Sequence, residues 1–213
     1  LPWRTTTVAK LFKTTRIPVL VAIVVFAILL SLGIGQGVAI FAFSICSMVV
    51  AGIFQEWIRG TISRTRNGEM PPIAFANLLI NNRVRYGGYV IHLSIIMLSV
   101  GVIGSSFYAV QRDLVLSPGE IGEIGRYSFK YLGVDKTVFK DRVEEVAEIE
   151  TYVDGEYSLN MRPYRAFYPE FRIAATRGAI RSTPIEDFYI VPSAFEQNGQ
   201  AVFRILINPL VWW

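Results

Sequence analysis

Uncharged apolar residues run from Ile17 to Leu32, and two further apolar stretches cover Val38 to Trp57 and about Tyr86 to Tyr108. A helix rises about 1.5 Å per residue, so runs of roughly this length match a hydrocarbon core of about 30 Å, and three transmembrane helices are predicted. Pro18 is expected in the first turn of the first span, where a missing N–H costs nothing. Ser31 to Gly37 holds three glycines and forms a tight turn into the second span. Residues 1–16 read as a polar, basic cytoplasmic or interfacial segment, and residues 17–57 as the first two spans. Residues 58–85 read as a basic cytoplasmic loop. Within it, Pro71-Pro72 leads into Ile73 to Ile80, too short to span and suited to lying in the interface.

Beyond the third span, placed at residues 86–108, the period changes from helical to two. Tyr127 to Tyr131 alternates aromatic with polar positions, and Val143 to Val153 gives a long strand with an irregularity expected at Glu144-Glu145. Asp154-Gly155 signals a hairpin into Glu156 to Arg162. Phe188 to Val191 and Ala201 to Ile207 are further strands separated by a turn at Asn198-Gly199. Five or six strands within residues 109–207 predict a small β-barrel or sandwich inserted between spans. The fold class is therefore a membrane α-helical protein with an extracytoplasmic all-β domain. The final residues 208–213, Asn-Pro-Leu-Val-Trp-Trp, read as the start of a fourth span, since tryptophan is enriched where helices enter the interface. With no initiator methionine and no signal peptide at Leu1-Pro2-Trp3-Arg4, the sequence reads as an internal or C-terminal portion of a longer protein.

Composition supports a membrane protein: 52% of residues are hydrophobic and only 18% charged. The net charge of +4 comes from segments flanking the apolar runs, with no basic face interleaved with aromatics, which argues against nucleic acid. Arg59, Arg64, Arg66, Arg83 and Arg85 face Glu69 alone between the second and third spans, so this loop is assigned to the cytoplasm. Arg4, Lys10, Lys13 and Arg16 then lie on the same side, as two intervening spans require. Acids outnumber bases in the β domain. The single cysteine, Cys46, lies in an apolar span and excludes an intrachain disulfide.

The third span carries the only histidine, His92. An ionisable residue in lipid is a candidate functional site by default. Arg85, Gly88, His92 and Ser99 fall on one helix face. A neutral imidazole is a good axial ligand for haem iron, Gly88 would let a porphyrin edge approach the backbone, and Arg85 would pair with propionates. Ser99 would serve as an outer hydrogen-bonding group. Counted from Arg85, His92 lies about 10 Å along the span, in its cytoplasmic half. The plainer reading is that His92 bonds a neighbouring helix, Gly88 eases packing and Arg85 marks topology. Elsewhere, Gly33 to Gly37 lacks the strand and helix of a nucleotide loop. Glu144, Glu145 and Glu148 read as a solvated edge. Arg162 to Pro169, rich in arginine and aromatics, is either a partner-binding or haem-facing segment or a packed strand connection.

Arg83-Val84-Arg85-Tyr86-Gly87-Gly88-Tyr89-Val90-Ile91-His92-Leu93 resembles the arginine, Tyr-Gly-Gly, hydrophobic, His-Leu segment of CcmF, the membrane haem lyase family of bacterial cytochrome c maturation. Asn208 to Trp213 resembles the segment leading that family into its last span. Leu1 to Arg4, the Gln55-Glu56-Trp57 region and the inserted β domain follow in the same order. The resemblance implies covalent attachment of haem to apocytochrome c outside the bacterial cytoplasmic (inner) membrane, with haem chaperone and thiol-handling subunits as partners beside membrane lipid. It implies that His92 is one of two axial ligands of a haem b that keeps substrate haem reduced. The tryptophan-rich haem-handling segment and the second histidine ligand of the family are not in this sequence, so no catalytic residue is assigned. The alternative is a non-enzymatic membrane scaffold whose β domain recruits partners. A transporter is disfavoured because paired midplane charges and interrupted helices are missing.

Overall fold

A computed structural model describes residues 7–211, which form two compact units divided between Phe107 and Tyr108. The first is helical. Helix α1 (Val8–Ser31), α2 (Gly37–Thr65) and α4 (Arg83–Tyr108) are each long and apolar enough to cross a membrane. Between the last two lies α3 (Pro71–Asn81). The chain is a multi-pass membrane protein.

Two expectations about α1 change. The basic stretch from Val8 is continuous with the span, so the Val8–Arg16 portion of the interfacial segment and the membrane helix are one element. Leu1 to Arg4 lies outside the described residues. Pro18 is therefore in the helix interior and not in its first turn. There it removes the N–H that would bond the Thr14 carbonyl four residues back. The Gln55 side chain of α2 supplies the replacement, its Nε2 donating to Thr14 O at 3.1 Å. Gly52, one turn earlier on α2, faces the Pro18 ring, and Pro18 is the only buried residue of α1. The break in the helix ladder is thus the place where α1 docks on α2.

Helix α2 continues through Arg59 and Arg64, taking the start of the basic loop into helix. Pro71 and Pro72 occupy the first two positions of α3, where their fixed φ favours helix initiation. Glu69 ties the intervening turn: it accepts from Arg64 Nε and Asn77 Nδ2, both at 3.2 Å. Those hydrogen bonds, Arg64 first, hold its carboxyl below the usual carboxylate range. Gly60 on α2 lets Leu78 and Tyr86 close in, since a Cβ there would lie 2.7 Å from Leu78 Cδ2 and 2.9 Å from Tyr86 Oη.

The second unit is a sandwich of two antiparallel sheets built from ten strands, where five or six were anticipated. One sheet orders β1 (Val110–Leu116), β10 (Ala201–Pro209), β9 (Glu186–Phe195) and β8 (Ala179–Ser182). The other orders β2 (Ile121–Ile124), β3 (Tyr127–Val138), β4 (Val143–Val153), β6 (Tyr164–Tyr168) and β7 (Ile173–Arg177), with β5 (Glu156–Met161) also on β4. Alternate residues point inward, so Tyr127, Phe129 and Tyr131 of β3 meet Phe188 and Ile190 of β9 and Phe203 and Ile205 of β10. Tyr127 stacks on Phe188 with ring centroids 4.1 Å apart. Burial, then its hydrogen bond to Glu186, pushes the Tyr127 phenol up. Asp154 and Gly155 both take positive φ, as a tight right-twisting hairpin demands.

Four details of the β unit differ from expectation. Glu144 and Glu145 pair regularly with Thr137 and Lys136, and the irregularities fall at Tyr131/Gly133 and Thr151/Tyr152 instead. Nor is β4 an edge, because it lies between β3 and β6; Glu144, Glu145 and Glu148 are held by Arg142, Lys136 and Arg162. The Arg162–Pro169 segment contains a strand, β6. Finally, Asn208 and Pro209 still pair with Asp187 and Glu186, and Leu210 turns with φ of 61°. The expected entry of Trp212 and Trp213 into a fourth span lies outside the described residues.

Candidate functional site

The polar residues of the helical unit gather where α2 meets the first half of α4. Glu56 is the only acid of α2, and its Oε2 accepts from Arg85 at 2.7 Å. Arg85 also lies 3.5 Å from Tyr89 Oη, one turn on, and 5.8 Å from the Tyr86 ring. Tyr86 is buried against Gly60 and stands edge-on to Tyr89 at 5.7 Å. The arginine is thus fixed by an acid, a phenol and an aromatic face, though its guanidinium remains largely exposed.

Two turns beyond Arg85 stands His92, an exposed residue. Its Nδ1 is 2.8 Å from the Gly88 carbonyl. A carbonyl can only accept, so Nδ1 carries a proton, and of the two neutral tautomers the contact selects the one with its lone pair on Nε2. Among the described residues the histidine bonds its own helix. An added Cβ at Gly88 would meet nothing within 4 Å, so that position is open. Beside His92 runs an apolar cleft of about 290 Å³ lined by Pro18, Met48, Gly52 and Tyr89. Its floor is the same Pro18–Gly52 contact that joins α1 to α2.

Of the residues singled out in the sequence, Gly88 and His92 are in direct contact, and Arg85 lies on their side of the helix. Ser99 is separate: its hydroxyl donates to Ile95 O at 2.8 Å, which leaves it only acceptor capacity. Glu56 and Tyr89 were not singled out. Glu56 had a signal, as a lone carboxylate near the end of an apolar run, but a sequence does not say which arginine it meets. Among the described residues no group of three histidine, cysteine or acidic side chains converges as a metal site.

The comparisons with known proteins agree along the chain. Residues 107–209, the sandwich, match the family model described as the CcmF C-terminal beta-sandwich. The sandwich is a CcmF C-terminal beta-sandwich. CcmF of Pseudomonas aeruginosa is 28% identical over 131 residues, covering 62% of this chain and 20% of that protein. CcmF of Haemophilus influenzae is 26% identical over 132 residues, with the same two shares. CcmF of Pseudomonas fluorescens aligns over 92% of this chain and 29% of its own length at 23% identity. A solved structure named cytochrome c heme lyase CcmF superposes on all of this chain and a third of its own, with a TM-score of 0.72 and 21% identity. That likeness supports the fold, apolar helices followed in the chain by a β-sandwich. The chain spans between a fifth and a third of these proteins.

Proposed function

We propose that this chain is the C-terminal portion of a membrane haem lyase subunit for attachment of haem to apocytochrome c, and that His92 supplies one axial ligand to a haem b. The observation that carries the reading is the His92 ring, whose Nδ1 is tied to the Gly88 carbonyl while Nε2 faces out from an apolar span. Fixing one ring nitrogen selects the tautomer and orients the other toward a metal. Gly88 leaves room on the same face, and the exposed nitrogens of Arg85 offer a cation to a propionate beside the existing Glu56 pair. Ser99 contributes as an acceptor further along that face. A haem b held here supplies one-electron chemistry that keeps the iron of substrate haem reduced.

In this reading the chain's own residues bind and orient. Glu56 and Tyr89 hold Arg85, Gly88 positions the imidazole, and the apolar cleft excludes water from the coordinating nitrogen. The basic ends of α2 and α4 support a topology with the α2–α4 connection on the cytoplasmic side of the bacterial inner membrane and the sandwich on the other side. The sandwich is a docking or shielding module for apocytochrome c and for the haem chaperone and thiol-handling subunits. The test is the absorption spectrum of the full-length protein. His92→Ala is expected to abolish the reduced b-type bands and most haem content; an unchanged spectrum would favour a scaffold with a structural histidine.

A further inference from the structure

We infer that the free edge of β7, with the groove beside it, is a docking site for an extended peptide that presents an acidic and an apolar side chain two residues apart. All five residues of β7 are exposed, and β6 pairs with only one of its edges. Among the described residues no strand covers the other edge, so alternate N–H and C=O groups point outward. Soluble proteins blunt such edges with charge, proline or a bulge. Ile173 to Thr176 contains neither charge nor proline, and its register with β6 is unbroken.

The adjoining face says what the added strand would carry. Lys136, Glu145, Arg165 and Thr176 are successive cross-strand partners from β3 to β7. Lys136 Nζ lies 3.2 Å from Glu145, which leaves Arg165 without an ion-pair partner among the described residues. The next row on that face is Val143, Phe167 and Ala174. These two rows line an open groove of about 350 Å³. On the edge strand both rows end in a small side chain, Thr176 and Ala174, so a strand added beyond them could reach over to Arg165 and Phe167. Side chains two residues apart share a face, so the complementary peptide carries a carboxylate for Arg165 and an apolar group for Phe167. Main-chain bonds to the edge would supply affinity and the two side chains selectivity.

The experiment uses full-length protein in neutral detergent and the blocked octapeptide Thr-Glu-Thr-Val-Thr-Glu-Thr-Val, with lysine replacing glutamate in a control. Saturable binding is expected, with hydrogen exchange at β7 slowed about tenfold or more and β10 unchanged as the folding control. Arg165→Glu should weaken binding about tenfold while Arg165→Lys largely retains it, the loss of a charge-assisted contact. Equal binding of the lysine peptide, no added protection at the outward-facing β7 amides, or those outward-facing amides already protected without peptide would each overturn the proposal.

Discussion

The two units solve opposite problems. The sandwich turns its aromatic side chains inward: Phe129, Phe188 and Phe203 are fully buried. Helix α1 buries only Pro18, and Ile23, Phe26 and Leu30 face outward. In water the second arrangement would be untenable, but lipid removes the penalty and leaves packing and hydrogen bonding to decide which helices touch. So in the helical unit the informative contacts are polar or small: Gln55 on the Thr14 carbonyl, Gly60 under Tyr86, Glu56 on Arg85. In the sandwich they are aromatic.

That contrast can be broken by substitution, and the largest effect should come from the sandwich. Phe188→Ala removes the partner of Tyr127 from a filled core and is expected to cost about 3–5 kcal/mol. Ile23→Ala, on the outward face of α1, should stay within about 0.5 kcal/mol. Denaturant unfolding of the protein in detergent, followed by near-ultraviolet dichroism, separates them. Comparable losses would mean that α1 is packed on that face.

Gly178→Ala should come next, at about 1–3 kcal/mol. It joins β7 to β8 so closely under β9 that a Cβ would lie 2.9 Å from Val191 Cγ2 and 3.2 Å from the Ile190 carbonyl. A carbonyl oxygen on the backbone cannot rotate aside. Gln55→Leu should cost a similar amount or less, about 1–3 kcal/mol, because it leaves the Thr14 carbonyl without a donor in an apolar setting. Its signature would be easier exchange in α1 around Pro18, with the sandwich unaffected.

The smallest expected effect is electrostatic. Arg204 donates to Asp113 across β1 and β10 at 3.0 Å and, by that hydrogen bond first, holds its carboxyl below the ordinary range. A lowered carboxyl contributes stability above its unfolded value, about 4, and loses it as pH falls through the folded one. Asp113→Asn should therefore flatten the acid limb of the stability profile slightly. Both partners are exposed, so the difference should fade in high salt.

What the sequence disclosed follows the same division. Apolar run length located the spans, and a period of two located the long strands β4 and β10, which alternate inward and outward positions over much of their length. Strands β2 and β8, four residues each, offer too few positions for a period to stand out in the sequence, and β7 is exposed throughout. Pro18 was misplaced because local propensity favours a helix start there, whereas Gln55, forty-one positions apart from Thr14, makes the interior position tolerable. His92 was conspicuous as a lone ionisable group in an apolar run. Helical spacing put Gly88 on the same face, but its carbonyl as the partner of His92, like Glu56 and Tyr89 around Arg85, required the fold.

The central claim is that His92 binds haem iron through Nε2, and replacing the side chain with a removable one tests it most directly. In full-length His92→Gly the reduced b-type spectrum should be lost, and added imidazole should restore it by occupying the vacated ligand position. A His92→Gly protein whose spectrum matches the unaltered protein, before any imidazole is added, would contradict the account.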